Sequence, residues 1–107
     1  MGSSKIPPLT EAVYYILLSL LKPMHGYGIM QNVKTLTNGR LSIGAGTLYG
    51  ALNTLLSKGF IAEHNTSDPA KKEYIITDEG KNALNNEIAR LKELVENGEE
   101  LLREENQ

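Results

Sequence analysis

A mainly α-helical domain with one small β-hairpin is the fold class that the 107 residues predict, and three observations lead to it. Apolar residues recur at helical spacing in three stretches before Gly59. Two short β-compatible segments, Phe60 to Glu63 and Glu73 to Thr77, flank a polar, turn-rich run from Asn65 to Lys72. Beyond Asp78 a long stretch places Leu84, Ile88, Leu91 and Val95 at a 4-3-4 spacing, the mark of a helix-pairing seam. Three helices, a hairpin and a final helix are the order of a winged helix-turn-helix with an added dimerisation helix.

The first helix is expected from about Thr10 to Leu21, because Pro7-Pro8 excludes helix before Leu9 and Thr10 offers an N-cap oxygen. Glu11 then sits in the first turn, where the helix dipole favours a carboxylate. Val13, Ile16, Leu17, Leu20 and Leu21 form its core stripe. Tyr14, Tyr15 and Leu18 widen the apolar surface beyond what a small monomer buries, so that face belongs either to a central core helix or to a dimer contact.

Pro23 ends this helix, and His25-Gly26-Tyr27-Gly28 reads as a turn into a second helix with Ile29, Val33 and Leu36 on one face, closed by Asn38-Gly39. After Gly44-Ala45-Gly46-Thr47 a third helix carries Leu48, Leu52, Leu55 and Leu56, and ends at Gly59. Its other face presents Thr47, Tyr49, Gly50, Asn53, Thr54 and Ser57. Such a small, polar and uncharged surface suits close approach to a major groove, where Asn pairs bidentately with adenine and Thr bonds base edges. The small residues before Thr47 leave the first amides open to phosphate oxygens, although Gly44 and Gly46 also fit a plain tight turn. Lys71 and Lys72 near the hairpin tip place two ammonium groups where phosphates or an adjacent minor groove are in reach, or serve as solubilising charges.

Asp78 is expected to cap the final helix. Gly98 occupies the next seam position and Leu102 the one after; glycine costs about 1 kcal/mol in a helix interior, so a bend or stop is expected near Asn97-Gly98. Barely two heptads of seam do not make an autonomous coiled coil, so the first helix or a partner chain must cover it. Tyr14, Leu18, Ile88, Leu91 and Val95 are the expected dimer interface, and Tyr14, Tyr15 and Leu18 an expected ligand pocket within it. The chain thus divides into a DNA-binding part, residues 9–77, and a dimerisation helix with an acidic tail, residues 78–107.

Composition narrows the function. The net charge of −2 is unusual for a DNA binder, but residues 1–77 hold seven Lys and Arg against four Asp and Glu, while residues 78–107 hold four against nine. A mildly basic body is free to meet DNA while the acidic tail faces elsewhere. The absence of cysteine removes disulfides, zinc-thiolate sites and cysteine nucleophiles together and fits a reducing cytoplasm. The longest apolar stretch, Ala12 to Leu21, is too short for a bilayer, and Met1 to Ile6 carries no signal-peptide core. Gly2 hints at myristoylation, but Ile6 stands where that motif requires Ser or Thr. Catalysis would need a convergent set; the two histidines offer only His25 in a turn and His64 near Asp68, with no metal-ligand spacing. No cofactor is expected. A winged-helix module that joins proteins instead of binding DNA is the remaining alternative.

The sequence resembles the PadR-like transcriptional regulators. The resemblance is carried by Leu20-Leu21 through His25-Gly26-Tyr27-Gly28-Ile29, by Ile43-Gly44-Ala45-Gly46-Thr47-Leu48-Tyr49-Gly50-Ala51-Leu52, by Gly59-Phe60-Ile61, and by Lys72-Glu73-Tyr74-Ile75-Ile76-Thr77-Asp78-Glu79-Gly80. Those segments follow the family's order and spacing across most of residues 9–97. The resemblance implies a homodimeric repressor, usually of detoxification or efflux genes, that releases double-stranded operator DNA on sensing a small molecule. It implies dimerisation through the first and last helices, and DNA contact by Thr47, Tyr49 and the wing around Lys71 and Lys72. The single short C-terminal helix resembles the family's compact branch. Many members have proline where this chain has Gly50, and the tryptophan-built drug sandwich of some relatives has no counterpart in a chain without tryptophan.

Overall fold

The computed structural model describes residues 7–64, 68 and 71–106. Its elements are α1 (Glu11–Ser19), β1 (Met24–His25), α2 (Gly26–Leu36), α3 (Ala45–Lys58), β2 (Ile61–His64), β3 (Glu73–Ile76) and α4 (Asp78–Glu105). The expectations placed on Met1 to Ile6, and on the hairpin turn at residues 65–67, 69 and 70, lie outside the described residues.

One core unites these elements. Ile16, Leu17 and Leu20 meet Ile29 and Val33 of α2, Leu48, Leu52 and Leu55 of α3, Ile61, Tyr74 and Ile76 of the sheet, and Leu84 of α4. The cap of α1 is as expected: the Thr10 hydroxyl accepts the Val13 N–H at 3.2 Å. The helix ends earlier than expected, at Ser19, with Leu20 as its C-cap, well before Pro23. Leu20 remains fully buried, but Leu21 is 55% exposed and leaves the predicted core, because a residue beyond the last helical turn no longer follows the 3.6-residue period. Leu36, the last residue of α2, is likewise half exposed and not core.

Polar groups inside the fold are consumed locally. The buried Ser19 hydroxyl donates to the Tyr15 carbonyl at 2.8 Å and accepts from Asn32 Nδ2 at 2.9 Å, joining α1 to α2. Thr37 donates to the Val33 carbonyl and accepts the Leu41 N–H, turning the chain toward α3.

The hairpin is present, and it is part of a larger sheet. His25, expected in a turn, forms with Met24 a short third strand, giving an antiparallel sheet of order β1-β3-β2. Met24 pairs with Tyr74 and His25 with Glu73, while Ile61 faces Ile76 and His64 faces Glu73 across the hairpin. Two residues carry no periodicity, so β1 exists because β3 has an edge to pair, not because of its own pattern.

Two expectations for α4 are corrected. Its N-cap is Thr77, not Asp78: the Thr77 hydroxyl accepts the Gly80 N–H at 3.1 Å and donates to the Gly59 carbonyl at 2.6 Å. The same residue's N–H donates to the Phe60 carbonyl at 3.0 Å. This junction is tight, since a Cβ at Gly80 would collide with the Phe60 carbonyl oxygen. The helix then runs 28 residues without stopping at Gly98; strong helix formers on both sides offset the roughly 1 kcal/mol cost of one glycine. Its buried residues all lie before Ile88, and every described residue after Leu91 is exposed.

Candidate nucleic-acid interface

Helix α3 positions the candidate reading face by burying the opposite one. Leu48, Leu52 and Leu55 anchor it in the core, and all of Gly46, Thr47, Tyr49, Gly50, Asn53, Thr54 and Ser57 are exposed. The helix begins at Gly44, which provides no side-chain cap, so its first amides keep their hydrogen-bonding capacity. It ends as predicted at Gly59, in the left-handed conformation with φ 76°.

The glycines of α3 have no structural reason of their own. Gly44 and Gly46 lack positive φ, which excludes the tight-turn explanation, and a Cβ added at Gly44, Gly46 or Gly50 would meet nothing within 4 Å. Gly50, in the helix interior, costs about 1 kcal/mol relative to alanine. Neither backbone conformation nor internal packing repays that cost. Gly46 and Gly50 thus leave this stretch of the outer surface without side chains.

Tyr49 borders this bare strip. Its hydroxyl end lies against Gly26 at the start of α2, so closely that a Cβ at residue 26 would overlap it, and 46% of the residue stays exposed. The α2 start is itself set by His25, whose Nδ1 accepts the Gly28 N–H at 3.0 Å. His25 is therefore a strand residue and helix cap rather than the turn residue its context suggested.

The wing lies beside α3. Lys71 and Lys72 are both exposed, and Lys72 Nζ is 3.4 Å from Glu63 Oε2 across the hairpin. That pair is solvent-accessible on both sides, so it is weak and exchangeable for a phosphate. The Lys71 N–H donates to the Asp68 carbonyl at 2.9 Å, within the loop that joins β2 to β3. His64 is exposed on β2, with Nδ1 3.4 Å from Glu73 Oε1. Beneath them Tyr74 is buried, and burial raises its hydroxyl pKa while nearby Lys72 opposes the shift.

The remaining predicted residues gather elsewhere. Tyr14, Ile88, Leu91 and Val95 line one open groove of about 520 Å³ between α1 and α4, together with Lys92, Glu96 and Glu99; Leu18, half-buried, does not line it. Leu94, Val95, Leu101 and Leu102 are each more than half exposed. Leu94 and Leu101 were missed in the sequence because they flank the 4-3-4 line, and they widen it into a broad apolar stripe. Tyr14 and Tyr15 pack edge to face with centroids 5.5 Å apart. Both line a cavity of about 290 Å³ with Leu9, Glu11, Glu87, Arg90 and Leu91; Leu18, expected there too, does not.

Sequence reasoning also missed Glu87. Its carboxylate is 5% exposed, receives Arg90 Nε at 3.0 Å and Nη2 at 2.6 Å, and accepts the Leu9 N–H at 3.4 Å. The Arg90 hydrogen bonds hold its pKa below the ordinary carboxylate value against the opposing effect of burial. An acidic residue between Leu84 and Ile88 on the core side of α4 was the available signal.

Against known proteins, the profile of the family described as transcriptional regulator PadR-like matches residues 16–86. A PadR family transcriptional regulator from Eggerthella lenta is 32% identical, with TM-score 0.69 over 84% of this chain and 80% of that one. Bacillus subtilis PadR, solved in complex with operator DNA, is 31% identical with TM-score 0.63; the match covers 74% of this chain but 47% of that longer one. F93 from STIV, a winged-helix DNA-binding protein, shares the fold at 19% identity, with TM-score 0.66 over 81% of this chain and 95% of that one. No curated protein matches. The matched family and the first structures are transcriptional regulators rather than enzymes. Among the described residues no helix is long and apolar enough to cross a membrane.

Proposed function

This chain belongs to the PadR-like family of transcriptional regulators, and from that premise we propose that it binds double-stranded operator DNA as a homodimer and represses transcription until a small-molecule signal releases it. The observation that carries the DNA-binding reading is the bare strip of α3, where Gly46 and Gly50 serve no internal need. In the proposed complex Gly46 and Gly50 admit the groove walls, Thr47, Tyr49 and Asn53 face base edges, and Lys71 and Lys72 meet phosphates. The operator-bound state of Bacillus subtilis PadR supports the assignment by analogy.

Residues 9–77 act as the DNA-binding part and residues 78–107 as the dimerising part in this reading. Its support is the uncovered stripe on the outer half of α4, which water disfavours and a second copy would cover. A cytoplasmic location follows from the proposed target.

Fluorescence anisotropy with DNA from upstream of the gene, against a scrambled control and across a salt series, tests the proposal. The expected result is preference for the native fragment with affinity falling steeply as salt rises. Equal, negligible binding of both fragments, and of a neighbouring promoter, would replace it with the protein-interaction reading that the net negative charge favours.

A further inference from the structure

A further cavity adjoins helix α3 itself. One flank of α3, formed by Thr47, Ala51, Thr54 and Lys58, faces the extended Pro7–Thr10 segment across an opening of about 330 Å³, with Leu55 and Phe60 among its lining residues. These flank positions recur at 4-3-4 spacing, so they form one continuous ridge beside the bare strip of Gly46 and Gly50, which also border the cavity. The volume lies at the small end of the range for ligand pockets.

The lining chemistry specifies an occupant. Proline, leucine, valine, alanine and phenylalanine side chains supply apolar walls, and threonine hydroxyls supply a few hydrogen-bonding groups. Lys58 is the one charged side chain among the described lining residues, and it has no ion-pair partner among the described residues. An ammonium group with no ion-pair partner among the described residues, beside apolar walls, is complementary to a compact apolar molecule bearing a negative charge.

We propose that this cavity is an effector site for small amphipathic anions, and that its occupant competes with the operator for the same helix. It is distinct from the Tyr14–Tyr15 cavity, which lies against α4. Bulk seated along the Thr47–Lys58 ridge stands next to the strip that must enter the groove, so release needs no rearrangement of the dimer. The proposal rests on the DNA-reading role of α3 for its consequence, but not for the existence of the site.

Two fluorescent probes test it: the anion 8-anilinonaphthalene-1-sulfonate and its uncharged counterpart N-phenyl-1-naphthylamine. The full chain is expected to bind both. Ala51→Phe, which fills the cavity, should weaken both by about tenfold or more. Lys58→Gln, an exposed change that leaves the fold intact, should weaken the anion by about tenfold and leave the uncharged probe unchanged. Operator DNA and the anionic probe should each lower the other's affinity by the same factor. Probe binding indifferent to both substitutions, or simultaneous binding of probe and operator without mutual effect, would overturn the inference. Absence of operator binding by the unliganded protein would instead overturn the regulatory reading, because the probe arms are read without DNA.

Discussion

The hydroxyl end of Tyr49 rests on the backbone of Gly26, so α3 is braced against the start of α2 at a point where no side chain fits. Gly26→Ala should therefore either displace the ring or open the α2–α3 packing, at a cost of about 1–3 kcal/mol. Adding Tyr49→Ala should recover most of that loss. Urea denaturation of the two single variants and the double variant measures the coupling; additive losses would show that the contact does not brace anything.

Gly50→Ala offers a separation of stability from function. The new methyl group meets no neighbour, so the helix should gain about 1 kcal/mol. Operator affinity should fall because the same methyl stands on the surface proposed to enter the groove. A melting temperature that rises while anisotropy shows weaker binding is the expected pair of results; a rise with unchanged affinity would remove the reason given for the glycine.

Leu91→Asp places a charge in the half-buried seam between α1 and α4. Sedimentation should then report monomers, and binding to a palindromic operator should weaken sharply. A dimer that survives the change would move the interface away from this groove.

Glu87 should make the fold sensitive to acid. Its pKa is depressed, chiefly by the Arg90 hydrogen bonds, so its contribution to stability is complete above the ordinary carboxylate range and is lost as pH falls through its own lower value. Glu87→Gln should lower stability at neutral pH by about 1–3 kcal/mol, through the loss of a charged partner for Arg90, and make the acid-side decline shallower. Denaturation midpoints across an acid titration would show both effects; parallel curves for the two proteins would assign the acid sensitivity elsewhere.

The parts of this fold that the sequence revealed are those governed by periodicity and local chemistry. Leu48, Leu52 and Leu55 define α3, Thr10 caps α1, and Gly59 closes α3, each through a contact within a few residues. The missed features depend on partners distant in sequence. β1 forms only because β3 lies beside it, Gly26 is required by a tyrosine on another helix, and Glu87 is held partly by the Leu9 backbone. Thr77 took the cap expected of Asp78 because its hydroxyl can serve Gly59 and Gly80 together. The candidate reading face was legible residue by residue, since exposure follows once the buried face is known. The division of its flank into a cavity was not, because that depends on where Pro7–Thr10 runs.

The Thr77 junction has a mechanical consequence. One hydroxyl pins the start of α4 to the end of the reading helix, while the far half of α4 projects freely. In the proposed dimer, clasped near that far end, α4 would act as a lever with its fulcrum at the clasp and the Thr77 junction on its moving end. A tilt of about 5° would swing a rod about 42 Å long by roughly 4 Å at its tip, a little more than the rise of one base pair. Small changes at such a clasp would be magnified into the distance between the two α3 helices, and operator spacing would become a gauge of how the lever is set.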